Sequence, residues 1–146
     1  FTILFAALFF STGSVHWKLP LIISGLTLPL TILLLVQLFI AKVSLDDRYL
    51  IVGGGLYKEK VSLSEIRREA IAKIDISKNS GVLGTRTNGV GLPGFSFGWF
   101  QPYAGKKLFA LVSDDHAILV PTTKPYDLLI SPNNVDQFIS ALRSSN

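Results

Sequence analysis

The stretch LPLIISGLTLPLTILLLVQLFIAKV, from Leu19 to Val43, divides this chain into two kinds of sequence. As an α-helix it would be roughly 36 Å long, which exceeds the roughly 30 Å hydrocarbon core of a bilayer. The stretch therefore predicts a transmembrane helix over residues 19–43. Pro29 lies inside it and predicts a local kink, which membrane helices tolerate when neighbouring groups satisfy the freed carbonyl.

One face of this helix is marked by small polar residues. Ser24, Thr27 and Thr31 are three and four positions apart, so they lie on the same side of a helix. Small side chains allow two membrane helices to approach closely. The spacing predicts that a partner helix packs against this face.

The run FTILFAALFF, from Phe1 to Phe10, is the nearest candidate for that partner. It would be about 15 Å long, enough for half a bilayer. Because the chain contains no methionine, we expect residues upstream of Phe1 and interpret the run as the end of a truncated helix. Ser11–Lys18 then forms the hairpin loop, with Trp17 and Lys18 at headgroup level. A signal-peptide core is the alternative, but no A-x-A-like cleavage site follows.

Charge is distributed unevenly along the chain. From Phe1 to Ala41 the only residue charged at neutral pH is Lys18, although the chain has 14 lysines and arginines and 10 acidic residues. The positive-inside rule then places the part after Ala41 in the cytoplasm. We expect a multi-pass protein of the cell inner (plasma) membrane. The net charge of +4 suits a neighbour of anionic headgroups better than a nucleic-acid binder.

Residues 44–146 predict one β-rich domain with about seven antiparallel strands and one C-terminal amphipathic helix. Gly53, Gly54 and Gly55 predict a hairpin turn because positive φ costs glycine little. Ser131 and Pro132 predict the helix start, as cap and first-turn residue. The predicted strands are Tyr49–Val52, Leu56–Val61, Ala70–Ser77, Gly98–Tyr103, Lys107–Val112, Ala117–Thr122 and Asp127–Ile130, and the helix stripe is Val135, Phe138, Ile139 and Leu142.

The chain resembles a bacterial pleckstrin-homology-like (PH-like) family that often follows transmembrane helices. The resemblance runs from Val43 to Leu142, and its central motif is GTRTNGVGLPGFSFGWF, from Gly84 to Phe100. LLISPNNVDQFISAL, from Leu128 to Leu142, adds to it. The resemblance implies a cytoplasmic PH-like domain without known catalysis. Eukaryotic phosphoinositide readers carry a basic cluster in the first hairpin, and Lys58 and Lys60 lie in a comparable hairpin without the following arginine.

The segment Gly84–Gly94 is the candidate binding loop, because four glycines and a proline expose main-chain amides. Arg86 and Asn88 add polar groups to it. The alternative is that the glycines only turn a long connection and that Arg86 pairs with a carboxylate. The segment is not a phosphate loop, because no Lys-Ser or Lys-Thr pair follows at the required spacing.

Aromatic residues follow this segment closely. Alternation places Phe95, Phe97 and Trp99 on one face of an extended chain, where they pack in a core or, if exposed, at a membrane or protein interface. Of these aromatic residues, Trp99 is included in the candidate binding set. The set is Arg86, Asn88, Trp99, Lys106 and Lys107, the two lysines following the next turn.

Catalytic and metal-binding patterns are weak. Asp114, Asp115 and His116 are adjacent on a turn, and adjacent residues rarely converge on one ion. The chain has no cysteine, and no serine lies in a nucleophile-elbow motif. We therefore expect neither an enzyme nor a cofactor or metal.

Two functional hypotheses follow from the sequence. The first is a membrane-tethered PH-like binding or scaffold module that contacts a protein partner or lipid headgroups. The second is a small accessory subunit of a larger integral membrane complex, suggested by Ser24, Thr27 and Thr31. Both predict membrane lipid and other integral membrane proteins as partners.

Overall fold

The computed structural model describes residues 18–55, 57–79 and 81–144. The chain divides into two units between Val36 and Gln37. The expected truncated helix at Phe1–Phe10 lies outside the described residues, as does the hairpin loop apart from Lys18.

The first described element is helix α1, Lys18–Ile40. Within the described part of the chain, no helix is both long and apolar enough to cross a membrane. The predicted extension of the helix to Val43 is wrong, because Lys42–Leu45 forms a strand. Val43 and Leu45 pack against the hydrophobic core of the second unit, and this burial outweighs continuation of the helix. The exposed apolar side chains of α1 are Ile23, Leu26, Leu28, Leu30, Ile32, Leu33, Leu35, Val36 and Ile40.

The threonine hydroxyls of α1 bond within their own helix. Thr27 Oγ1 donates to the Ile23 carbonyl at 2.9 Å, and Thr31 Oγ1 donates to the Thr27 carbonyl at 2.8 Å. Neither reaches the carbonyl of Gly25, which Pro29 leaves without its amide donor. The hydroxyls therefore do not repair the gap at Pro29, and they leave a face of small, internally satisfied groups.

The described residues of the second unit form nine strands rather than the seven predicted. They form a three-stranded sheet in the order β1-β2-β3 and a six-stranded sheet in the order β4-β8-β9-β7-β6-β5. Short 3₁₀ turns at Leu63–Glu65 and Arg68–Ala70 lie between the sheets in sequence. The strands are β1 Lys42–Leu45, β2 Tyr49–Gly54, β3 Tyr57–Ser62, β4 Ala72–Asp75, β5 Thr85–Leu92, β6 Phe95–Gln101, β7 Lys107–Val112, β8 His116–Val120 and β9 Tyr126–Ile130.

The pairing of strands β7 and β9 differs from the prediction. The prediction of an all-antiparallel domain is wrong, because β7 and β9 run parallel, with Phe109 opposite Leu128. Strand β8 does not form a hairpin with β7; it lies between β4 and β9. The predicted β2–β3 hairpin is confirmed, and Gly53 and Gly55 adopt φ of +102° and +58°.

The six-stranded sheet is apolar on both faces. Its inner face, which includes the fully buried Phe109, packs against the three-stranded sheet and the C-terminal helix. On the opposite face, Ile76, Val82 and Leu83 pack against a second cluster. Two buried faces explain why β7 is a continuous apolar run rather than an alternating one. The second cluster consists of Phe100, Leu108, Ala110, Val112, Ala117 and Leu129.

The C-terminal helix α2, Val135–Ser144, begins three residues later than Pro132 implied. The predicted cap at Ser131 is wrong. Asn134 provides the cap instead, because its Oδ1 accepts a 3.1 Å hydrogen bond from the Gln137 amide. The predicted apolar stripe is confirmed, with Ile139 and Leu142 buried in the core. A β-rich domain with a C-terminal helix fits the architecture that the resemblance implies.

Candidate binding surfaces

The β5–β6 hairpin contains three of the five candidate residues. The predicted loop Gly84–Gly94 is mostly strand β5, which is a correction to the sequence interpretation. Arg86 lies opposite Phe100 and Asn88 opposite Trp99, so Thr87 is an extra residue in a bulge. Because directly opposed residues share a sheet face, Arg86 and Asn88 point to opposite faces.

Trp99 is at the centre of an aromatic and basic cluster on the inner face. Lys107 Nζ lies 4.7 Å from the centroid of the Trp99 ring, within range of a cation–π interaction. The rings of Tyr126 and Phe109 meet it edge-on at centroid distances of 4.9 and 5.0 Å. The structure thus brings Asn88, Trp99 and Lys107 together, and half-buried Trp99 is held on several sides.

Two residues near Trp99, Tyr126 and Glu59, were not predicted from the sequence. Tyr126 Oη donates a 2.7 Å hydrogen bond to Glu59 Oε2. Burial, followed by this bond to Glu59, raises the pKa of the Tyr126 phenol. Alternation along β3 was the available signal, because Glu59 shares the inward face with buried Val61.

Lys106 has a different environment from its neighbour. Its Nζ donates hydrogen bonds to the carbonyls of Thr122 and Lys124, at 2.8 and 2.9 Å, and lies 3.6 Å from Asp127 Oδ1. Asp127 Oδ1 also accepts from the Thr122 amide at 2.8 Å. These contacts hold the β8–β9 connection together. Lys106 therefore has a structural role, because its ammonium group is occupied by contacts within the domain.

Arg86 is exposed on the outer face of β5. A side chain at Gly91 would meet Arg86 Nη1 at 3.3 Å, which shows that the guanidinium extends along the strand over this glycine. Within the described ranges, no carboxylate lies in ion-pair distance of Arg86. The alternative in which Arg86 pairs with a carboxylate therefore finds no support among these residues.

The outer face of the three-stranded sheet has a strong charge pattern. Gly53 lies opposite Lys42 on one side and Lys58 on the other, so the two lysines flank a glycine in one row. Lys60 occupies the next row, with its Nζ 3.6 Å from the Tyr49 ring centroid. Glu59 points inward to Tyr126, so no strand carboxylate faces this side. We call Lys42, Lys58 and Lys60 the lysine face.

The second unit has a cleft of about 600 Å³ whose lining includes residues of β1 and α2. Its walls include Val43, Phe95, Leu111 and Phe138, and its polar residues are serines, asparagines, a glutamine and Lys42. These groups suit apolar contact rather than acid–base chemistry. His116 is exposed, and no cluster of three or more potential metal ligands occurs among the residues that the structure describes.

The second unit corresponds to a known family. A family model described as "Bacterial PH domain" matches residues 41–146. The match begins at the residue before β1 and includes all nine strands and α2. Comparison with curated proteins and with solved structures gives no significant match.

Proposed function

Because the chain belongs to the bacterial PH domain family, we propose that it is a membrane-tethered binding module without catalytic activity of its own. PH domains are typically non-catalytic binding modules. The proposal has three parts: a tether, a surface that faces lipid headgroups, and a domain that presents further surface to a protein partner.

The tether in this proposal is helix α1, Lys18–Ile40. Two features support it: the apolar composition of this stretch and the exposed leucine, isoleucine and valine side chains of α1, such as Leu26 at 74%. Exposed apolar side chains on a long helix are costly in water and favourable in lipid. The concentration of cations after Ala41 supports a cytoplasmic position for the domain at the inner membrane.

The lysine face is the observation that carries the proposal. Lys42, Lys58 and Lys60 are exposed, and the one acidic residue of these three strands is turned inward. A juxtamembrane lysine gains about 1 kcal/mol near an anionic leaflet, so three contribute on the order of 3 kcal/mol. Lys42 follows Ile40, the last residue of α1, by two positions. The chain therefore links this face to the proposed tether through a very short connection.

Tethering changes the affinity that such a module needs. A target held beside the same membrane meets the domain at an effective concentration of roughly millimolar. Weak contacts by the exposed β5–β6 hairpin, including Arg86 and Asn88, then suffice for recognition. Trp99 lies on the inner face of the same hairpin, next to Lys107 at the start of β7.

Flotation of the full chain with vesicles tests the tether. The chain is reconstituted into phosphatidylcholine vesicles, washed with carbonate at high pH and with 1 M salt, and centrifuged through a density gradient. We expect it to float with the vesicles after both washes, because apolar insertion does not depend on ionic contacts. Recovery of the intact chain in the aqueous fraction without detergent would contradict the proposal.

A second candidate function is supported by the face Ser24, Thr27 and Thr31. Thr27 and Thr31 satisfy their hydroxyls within α1, so this face presents small surfaces that another membrane helix can approach. An accessory subunit of a larger integral membrane complex would use it permanently. Extraction from native membranes in a mild detergent followed by sizing distinguishes the two: a stable co-purifying assembly supports the subunit, and a free small protein supports the module.

A further inference from the structure

The edges of the two sheets are unequally protected against pairing with another strand. Strands β1 and β4 are edges of only four residues, and each carries a lysine. Strand β3 is an edge with three charged residues in YKEKVS. Short length and charge are the usual defences of an edge strand. Strand β5 is also an edge, but it has eight residues and only one charge, Arg86.

The free side of β5 can accept main-chain hydrogen bonds. Within the described residues β5 pairs with β6 alone, so about half of its N–H and C=O groups point away from the sheet. The bulge at Thr87 lies near one end and leaves Asn88–Leu92 in regular register. Almost all β5 side chains are exposed. An added strand would therefore meet little steric resistance.

The two faces of β5 define which side chains an added strand should carry. On the outer face, Arg86 has no carboxylate partner among the described residues and lies over Gly91. On the inner face, Val90 and the 56% exposed Leu92 are apolar. Alternate residues of an added strand face alternate sides. The matching strand has acidic residues on one face and apolar residues on the other.

We propose that the free edge of β5 binds an extended peptide segment of a partner protein in which acidic and apolar residues alternate, with a carboxylate at Arg86. Main-chain hydrogen bonds to β5 supply affinity, and Arg86 with Val90 and Leu92 supplies selectivity. A peptide is favoured over a second copy of the chain because β5 carries no carboxylate to meet Arg86. This surface is separate from the lysine face, so the inference does not depend on contact with lipid.

A peptide titration on the full chain in detergent micelles tests this. The probe is a fluorescein-labelled octapeptide of alternating glutamate and valine, followed by fluorescence anisotropy at low salt. A lysine–valine octapeptide and a glutamate–valine octapeptide with two central prolines are the comparison probes. We expect the glutamate peptide to bind at least about tenfold more tightly than either. Hydrogen exchange should slow at the amides of 85–92.

Variants assign the effect to Arg86. Arg86→Glu should weaken binding of the glutamate peptide by about tenfold or more and strengthen binding of the lysine peptide. Arg86→Gln provides an intermediate that removes charge without reversing it, and Arg143→Glu, at an exposed position of α2, is the matched control. Three results overturn the proposal: no binding of the glutamate peptide, equal losses for Arg86→Glu and Arg143→Glu, or slowed exchange outside 85–92. Concentration-dependent protection of 85–92 without peptide also overturns it, in favour of self-association.

Discussion

Tyr126 and Glu59 join the two sheets through a side-chain hydrogen bond of 2.7 Å between Tyr126 Oη and Glu59 Oε2. Glu59 comes from the edge strand of the small sheet and Tyr126 from a central strand of the large one. The hydroxyl of a second tyrosine, Tyr57, is not hydrogen-bonded: Tyr57 Oη is buried, and no partner reaches it within the described residues. The two phenols therefore make different contributions to stability.

Removing each hydroxyl should separate these contributions. Tyr126→Phe is expected to lower the free energy of unfolding by about 1–3 kcal/mol, because it leaves the Glu59 carboxylate without its donor. Tyr57→Phe removes an unpaired buried hydroxyl and should be neutral or stabilising. Urea unfolding of the two variants at neutral pH makes the comparison. Equal destabilisation by both would contradict the hydrogen-bond assignment.

Alkaline pH should weaken the fold through these tyrosines. Burial, then Glu59, raises the pKa of Tyr126 above its ordinary value, and burial raises that of Tyr57. An unfolded tyrosine ionises near pH 10, so the stabilisation is complete below about pH 10 and declines as the pH rises further. Unfolding measured at pH 8, 10 and 11 should show this decline, and Tyr126→Phe should make it shallower. An unchanged slope in Tyr126→Phe would count against the raised pKa.

The adjacent lysines 106 and 107 should respond differently to the same substitution. Lys106→Met removes two hydrogen bonds to carbonyls in the β8–β9 connection and should cost about 1–3 kcal/mol of stability. Lys107→Met removes one cation–π contact with Trp99 and should cost no more than about 1 kcal/mol. Thermal unfolding of both variants under identical conditions measures the difference. If Lys107→Met is the more destabilising, the structural role given to Lys106 is wrong.

Gly98 should be sensitive to substitution because it faces Gly89 across the β5–β6 pair. Gly98 has φ +127°, and a Cβ there would lie 2.4 Å from the Asn88 carbonyl oxygen. Gly98→Ala should therefore cost about 2 kcal/mol or more. Gly81→Ala is the control, because the nearest heavy atom to its Cβ would be Tyr103 Cδ2 at 3.8 Å. A Gly98→Ala variant as stable as Gly81→Ala would refute the close approach.

The sequence predicted the β-rich domain and its C-terminal helix because alternation and helical spacing are local signals. It missed β5, since glycines that usually mark turns are here required within strands, as the Gly89 and Gly98 pair shows. It also missed β1, since Val43 and Leu45 continue an apolar run and only their pairing with β2 separates them from the helix. The parallel pair of β7 and β9 depends on contacts between distant segments, which periodicity does not encode.

The candidate residues show the same division between local and distant information. Trp99 and Lys107 meet because β6 and β7 are consecutive antiparallel strands, which the sequence correctly anticipated. Lys106 acquires its role only from a connection 16 to 18 residues later. Arg86 and Asn88 are two positions apart but face opposite sides of the sheet, because a bulge lies between them. No residue pattern predicts this bulge. The sequence indicated only Lys58 and Lys60 of the lysine face. Lys42 belongs to it because the pairing of β1 with β2 places Lys42 in the same row as Lys58.

A probe beside the lysine face tests the central claim that this side of the domain lies against anionic headgroups. The chain has no cysteine, so Ser44→Cys, opposite Ile51 on the same face, can be labelled uniquely with a fluorophore. Ser140→Cys, at an exposed position of α2, is the control. Each labelled full chain is placed in nanodiscs that contain headgroup-spin-labelled lipid, with or without phosphatidylglycerol. We expect quenching at position 44 in the anionic discs, lost in Lys58→Glu/Lys60→Glu, and little at 140. Equal quenching at both positions, or none at 44 in anionic discs, would contradict the account.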